Sequence, residues 1–297
     1  MAKPIFTSKL LLFGEYGILK GFDALAIPFP KYTGKLEIRN EGTDRWLPGL
    51  LEYIKTVRHK LNSKFDLIKL EHEIKSGLKF ISNIPFNAGL GSSGALIAAL
   101  FHRYSAGTRK YLEIELKLLN HDLGILESYF HKKSSGIDPL VSFLNVPVLF
   151  TKGEGPKLLD KNILNYPNGY KFFLINSNSL GNTADLVTLL KGYLENSIFL
   201  SRFREAYQHS NNAISYMLSG DKKGLFDSFR GISEFQFKNM KQYIPSNVRE
   251  LFKTGLEHGH FYIKLCGSGG GGHYLGITGN VEHIKKYLDS CIEIIDI

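Results

Sequence analysis

Two glycine-rich runs and a few scattered polar residues are the parts of this 297-residue chain whose types and spacing could do chemistry. Gly89-Leu90-Gly91-Ser92-Ser93-Gly94 lies between a strand pattern and a helix pattern. Gly267-Ser268-Gly269-Gly270-Gly271-Gly272 lies between two strand patterns. Glycines let backbone N–H groups converge on an anion. A helix opened by Ser92 and Ser93 would add its unpaired N–H groups and the positive end of its dipole, which favour a phosphate. The serine hydroxyls could bond that phosphate or a Mg²⁺ ion. A plain helix cap with a tight turn would use the same residues.

Three charged residues stand out beside these runs. Asp138, in Ser134-Ser135-Gly136-Ile137-Asp138-Pro139, is expected in a loop just past a helix. There it could accept a hydroxyl proton in phosphoryl transfer, or simply shape a turn before proline. Glu127 falls on that helix among mostly apolar neighbours, so its carboxylate is either exposed or held by a cation. Lys9 leads into Leu10-Leu11-Leu12-Phe13 and is either solvated or neutralises charge at a site. The histidines form no H-E-x-x-H; His258 and His260 around Gly259 read as a loop. Cys266 reads as a buried thiol under the second glycine run.

Both runs satisfy G-x-G-x-x-G, but a dinucleotide fold wants that pattern directly after its first strand, opening a helix. Here the first copy follows Pro85 and Asn87 deep in the chain, and the second precedes a strand. No G-x-x-x-x-G-K-[ST] P-loop occurs. Gly91-Ser92-Ser93-Gly94-Ala95 is a poor nucleophile elbow, because Pro85 interrupts the preceding strand and no downstream acid–histidine pair stands out.

Composition narrows the class further. At 43% hydrophobic and 22% charged the chain is globular, neither disordered nor fibrous. Its 2 cysteines make neither a disulfide scaffold nor a cysteine zinc site. The longest apolar run, Ala95 to Phe101, is far short of the roughly 18 residues that span a bilayer. The N-terminus carries no signal-peptide apolar region, so a cytoplasmic protein is expected. The net charge of +9 is spread in small groups rather than one basic block. That points to a basic surface or an anionic small-molecule substrate, not to nucleic acid.

The elements that must position these residues read as follows. Strands are expected over 9–13, 24–29, 34–39, 78–82 and 147–152, with an alternating stretch at 70–75. Helices are expected after Pro48 and over 92–105 and 113–133. The glycine- and proline-bearing stretch 152–169 is the domain boundary, dividing the chain into 1–155 and 156–297. The second half opens with a strand at 170–176, continues with helices over 183–258, and ends with strands at 261–266, 274–278 and 291–295. Strands and helices mix without regular alternation, which indicates an α+β fold.

Three separated segments together resemble the GHMP kinase superfamily of galactose, homoserine, mevalonate and phosphomevalonate kinases. Ser8-Lys9-Leu10-Leu11-Leu12-Phe13-Gly14-Glu15-Tyr16 is similar to the family's opening segment. Pro85-Phe86-Asn87-Ala88-Gly89-Leu90-Gly91-Ser92-Ser93-Gly94-Ala95 is similar to its phosphate loop, and Lys264-Leu265-Cys266 with the glycines after it to its third motif. Ser135-Gly136-Ile137-Asp138 and Asn182-Thr183-Ala184-Asp185-Leu186-Val187 bring the mevalonate kinase branch nearest. Gly94 stands where the family pattern has alanine, Pro139 where it has asparagine, and Glu15-Tyr16 where that branch has Glu-His.

The resemblance implies a fold with an N-terminal half like ribosomal protein S5 domain 2, a ferredoxin-like C-terminal half, and ATP between them. It implies Asp138 as general base with Lys9 as its charge partner. It places Asn87, Ala88, Gly89, Leu90, Gly91, Ser92 and Ser93 around ATP, and Ser93 and Glu127 on Mg²⁺. It puts Glu15, Tyr16, Thr183, Gly269 and Gly270 around the substrate. The function implied is phosphorylation of a small-molecule hydroxyl, mevalonate foremost, in isoprenoid biosynthesis, with no nucleic-acid or membrane partner and room for a homodimer. Phosphomevalonate and sugar kinases of the superfamily are the alternatives, and a catalytically silent nucleotide-binding protein is the alternative of another class.

Overall fold

The computed structural model describes residues 4–85, 88–106, 113–161, 169–179, 183–287 and 292–295. Each half is built on one antiparallel sheet. The first contains β1 (Phe6–Phe13), β2 (Ala24–Ile38), β3 (Leu78–Ser82), β4 (Val148–Thr151) and β5 (Gly155–Leu158). β2 is its spine, pairing with β1, with β4 at Ala24–Ala26 and with β3 at Gly34–Ile38. The two expected strands at 24–29 and 34–39 are thus one. Its register with β1 passes over residues 30–32, where Pro30 has no N–H to donate.

Helices α1 (Leu47–Val57), α2 (Leu67–Lys75), α3 (Ser92–Tyr104), α4 (Glu113–His131) and α5 (Ile137–Leu144) complete this half. Two of them correct the sequence reading. Residues 70–75, expected to alternate as an extended stretch, lie in α2, where Leu70, Glu73 and Ile74 are buried at helical spacing. The Asp66 side chain caps that helix by accepting from the Lys69 N–H. Asp138, expected in a loop, lies in the first turn of α5. Pro139 follows it there, where a missing N–H breaks no helical bond. α3 and α5 pack on β1 and β2 and against each other, and α4 packs across both helices.

The second sheet has the order β7-β8-β6-β9, from β6 (Lys171–Asn176), β7 (Phe261–Leu265), β8 (His273–Thr278) and β9 (Ile292–Ile295). α6 (Thr183–Tyr193), α7 (Ser197–Ser219), α8 (Lys222–Asn239) and α9 (Ser246–His258) fall between β6 and β7, and α10 (Val281–Lys285) between β8 and β9. That is the βαββαβ sequence of the ferredoxin-like half, elaborated by extra helices in its first crossover. The first sheet ends at Leu158 and the second begins at Lys171.

One apolar core crosses between the halves. Leu10, Leu12 and Phe13 of β1 share it with Leu174 of β6 and Phe229 of α8, and Phe13 meets Phe229 edge-on at 6.1 Å. Among the described residues, no helix is long and apolar enough to cross a membrane.

Candidate active site

The site starts at β1, which is buried along nearly its whole length. Lys9 is therefore under protein rather than in water, with its side chain 4% exposed. Its backbone N–H donates to the Leu90 carbonyl at 3.0 Å, pinning the glycine loop onto the strand. The loop turns into α3 at Gly91, whose φ of +74° is left-handed. A Cβ at Gly91 would come within 2.8 Å of the Lys9 Cγ, so glycine is needed for both the turn and the lysine beneath it. The N-cap residue of α3 is Gly91, which has no side chain to cap the helix. The first N–H groups of such a helix suit an anion.

Lys9 reaches past Gly91 to Asp138, with Nζ 3.0 Å from Oδ2. Burial works against the Lys9 ammonium, but the negative charge around it, that of Asp138 foremost, holds its pKa above the ordinary lysine value. The Asp138 side chain is 31% exposed, so the pair is covered on the lysine side and open on the aspartate side. The turn ahead of Asp138 is fastened to α4: Asn120 Nδ2 donates to the Ser135 carbonyl at 3.0 Å, and the Ser134 N–H donates to Ser128 Oγ at 3.1 Å.

Glu127, on α4, is buried. Its carboxylate meets hydroxyls: Ser93 donates to Oε1 at 3.2 Å and Ser134 donates to Oε2. Burial, and then the negative charge of Asp138, push its carboxyl up to about 8. Once ionised, this buried carboxylate and the hydroxyl oxygens beside it are hard oxygen donors of the kind Mg²⁺ takes. No group of three or more His, Cys, Asp or Glu suited to a metal occurs among the described residues. A cation here would then rest on few protein oxygens and complete its shell with phosphate and water, as Mg²⁺ commonly does. His131, one turn beyond Glu127, places Nε2 2.9 Å from Ser93 Oγ. Desolvation of the imidazole holds its pKa below the ordinary histidine value.

The second glycine loop lies directly on the first. The Ala88 carbonyl accepts from the His273 N–H at 3.3 Å and lies 3.2 Å from His273 Nδ1. The Gly270 N–H donates to the Tyr243 carbonyl at 2.7 Å, and Gly269 sits at φ +70° beside it. Glu15 and Tyr16 join this seam from the end of β1. Tyr16 donates its hydroxyl to the Ser268 carbonyl at 2.6 Å. Glu15 forms a buried ion pair with Lys264 of β7, and desolvation still raises its carboxyl above the ordinary value. Cys266, 2% exposed, is the buried thiol expected under this loop. Thr183 is the first residue of α6. Asn87 lies outside the described residues.

Lys9, Asp138, Ser93, Glu127 and the loop 88–93 thus converge, whereas Glu15, Tyr16, Gly269 and Gly270 line the seam next to them. Three participants received no role in the sequence reading. His131 had a usable signal, since it is four residues from Glu127 on one helix face. Lys264 stands in the strand Phe261-Tyr262-Ile263-Lys264-Leu265, whose apolar company hinted at a buried charge. Ser134 had no signal beyond its place in a turn.

The chain is similar to known proteins both in sequence and in fold. Residues 52–145 match the family of GHMP kinases N terminal domains. The mevalonate kinase of Pyrococcus abyssi is 27% identical over 179 residues, which is 50% of each chain; the match spans half the length of that relative. The mevalonate kinase of Thermococcus sibiricus is 25% identical over 311 residues, 89% of this chain and 85% of the relative. In fold, the chain is similar to Streptococcus pneumoniae phosphomevalonate kinase in complex with phosphomevalonate and AMPPNP, with a TM-score of 0.68 at 14% identity, covering 99% of this chain and 100% of that one. Residues 52–145 thus match a GHMP kinase N-terminal domain, and the chain is similar in sequence to mevalonate kinases and in fold to a phosphomevalonate kinase.

Proposed function

We propose that this chain is a kinase that transfers the terminal phosphoryl group of ATP to the hydroxyl of a small alcohol, with mevalonate as the acceptor. The observation that carries the reading is the Lys9–Asp138 pair at 3.0 Å, beside a glycine-rich loop that opens α3 at Gly91. Phosphoryl transfer asks for an anion cradle, a countercharge and a carboxylate to orient the hydroxyl, and little covalent chemistry.

Asp138, the open member of the pair, accepts the hydroxyl proton as the acceptor oxygen attacks the γ-phosphorus. The bond from that phosphorus to the β–γ bridging oxygen breaks, and ADP leaves. Lys9 pairs with Asp138 and offsets the negative charge growing on the acceptor oxygen. The N–H groups of residues 88–93 and the α3 dipole face the triphosphate. Ser93 and Glu127 hold Mg²⁺, which when bound neutralises charge on the β- and γ-phosphates. Glu15, Tyr16, Thr183, Gly269 and Gly270 border the acceptor. ATP, Mg²⁺ and one small acceptor are the partners this reading needs, and a cytoplasmic homodimer is compatible with it.

Mevalonate is favoured over phosphomevalonate because the likeness to mevalonate kinases is in sequence, while the likeness to the phosphomevalonate kinase is in fold alone. ADP release from MgATP should be measured against mevalonate, phosphomevalonate, galactose and homoserine. A clear preference for mevalonate is expected. Turnover of another acceptor alone would keep the chemistry and replace the substrate. Silence on all four with ATP bound would favour a non-catalytic nucleotide-binding protein.

A further inference from the structure

Ser93 stands within reach of two side chains of α4: Glu127 Oε1 at 3.2 Å and His131 Nε2 at 2.9 Å. Residues four apart on a helix share a face, so α4 presents both groups to the start of α3. A serine hydroxyl has one proton and two lone pairs. An oxygen that gives a lone pair to a cation turns its O–H bond away, because the cation repels the proton. Glu127, as a ligand of the same cation, would have committed the lone pairs on that side. The remaining acceptor, and the nearer one, is His131 Nε2. The mechanism above gives this imidazole no other task.

We propose that His131 is a positioning residue: its Nε2 accepts the Ser93 hydroxyl proton and so aims a Ser93 lone pair at the cation. The ring proton then resides on Nδ1. The inference rests on the kinase reading and on its cation site. It differs from a merely structural role, because a histidine that only packed against the end of α4 could be exchanged for an apolar residue without touching metal affinity.

The test uses the full chain, with Mn²⁺ as probe, read by electron paramagnetic resonance in the presence of a non-hydrolysable ATP analogue, so no turnover is needed. Ser93→Ala, His131→Leu and His131→Gln are compared with the unsubstituted chain, with melting curves as a control for folding. Glutamine can offer an acceptor oxygen near the place of Nε2; leucine cannot. Ser93→Ala and His131→Leu are each expected to weaken Mn²⁺ binding about tenfold or more, with His131→Gln within about threefold of the original, the scale on which groups behind metal ligands act. Unchanged affinity in His131→Leu beside a loss in Ser93→Ala would overturn the inference and leave the cation site standing. A loss in His131→Gln equal to that in His131→Leu would also overturn it. Unchanged affinity in Ser93→Ala would remove the cation from Ser93 and this inference with it, while ADP release would still report on the kinase reading itself.

Discussion

Two carboxylates near one lysine meet different fates, and the difference is a matter of single contacts. Asp138 holds the Lys9 ammonium at 3.0 Å, while Glu127 has hydroxyls for company and the charge of Asp138 against it. Glu127, raised by burial from 4.5 to about 8, resists ionising in the cation-free protein. A raised carboxyl pKa gives stability that is complete below the unfolded value and is lost as pH rises through the folded one. Melting temperatures in a chelator, followed from about pH 5 to about pH 9, should therefore fall in the original chain relative to Glu127→Gln across that window. Parallel curves would show that Glu127 ionises normally. For Asp138, replacement by asparagine keeps the shape and removes the proton acceptor. The turnover number should drop about 10²- to 10⁴-fold while affinity for an ATP analogue holds, as expected for a group acting in the transition state. Turnover within a few-fold of the original would remove Asp138 from the base role.

Secondary-structure elements decide whether those contacts are possible at all. α3 and α5 cross so closely that a Cβ at Gly94 would lie 2.8 Å from the Asp138 carbonyl carbon and 2.9 Å from its Cβ. The superfamily pattern has alanine there, and this chain pairs its glycine with Pro139 on the facing helix. Gly94→Ala should thus push α5 off α3, at a cost of about 1–3 kcal/mol for overpacking. It should also move Asp138 away from Lys9, so turnover falls more than ATP affinity. A variant with unchanged melting temperature and turnover would mean that the two helices have slack. The same elements show what the sequence could and could not reveal. β3 and β7 were legible because their apolar runs are short and bounded, and α3 because serines and an apolar run mark it. α5 was not, because Pro139 reads as a turn when nothing says that it sits in a first helical turn. α2 was misjudged because Leu70 and Ile74 fit a strand face as well as a helix face until Asp66 is seen to cap it. The proposed site residues were legible as types and as motifs. Their convergence was not, since the span from Lys9 to Asp138 is closed only by packing.

At the scale of the whole molecule, the question is what keeps the two glycine loops in register when each belongs to a different sheet. A shared apolar core holds the halves together without direction, since burial of hydrophobic area fixes no particular alignment. Directional contacts have to supply it. His273 reaches the Ala88 carbonyl, Tyr16 reaches Ser268, and Glu15 meets Lys264, whose side chain is 0% exposed. Lys264 also donates to the Leu265 carbonyl at 2.7 Å and lies 5.8 Å from the centre of the Phe13 ring. Buried away from bulk solvent, each charge depends on the other. Removing one member leaves its partner buried and uncompensated, whereas removing both leaves neither. Glu15→Gln and Lys264→Met should each destabilise the chain by about 3–5 kcal/mol in urea unfolding, and the double variant by clearly less than the sum. If the pair also sets the register of the loops, the double variant should recover stability before it recovers a normal KM for MgATP. Two mild, additive single losses would mean that the ion pair is a passenger and that His273 and Tyr16 hold the seam alone.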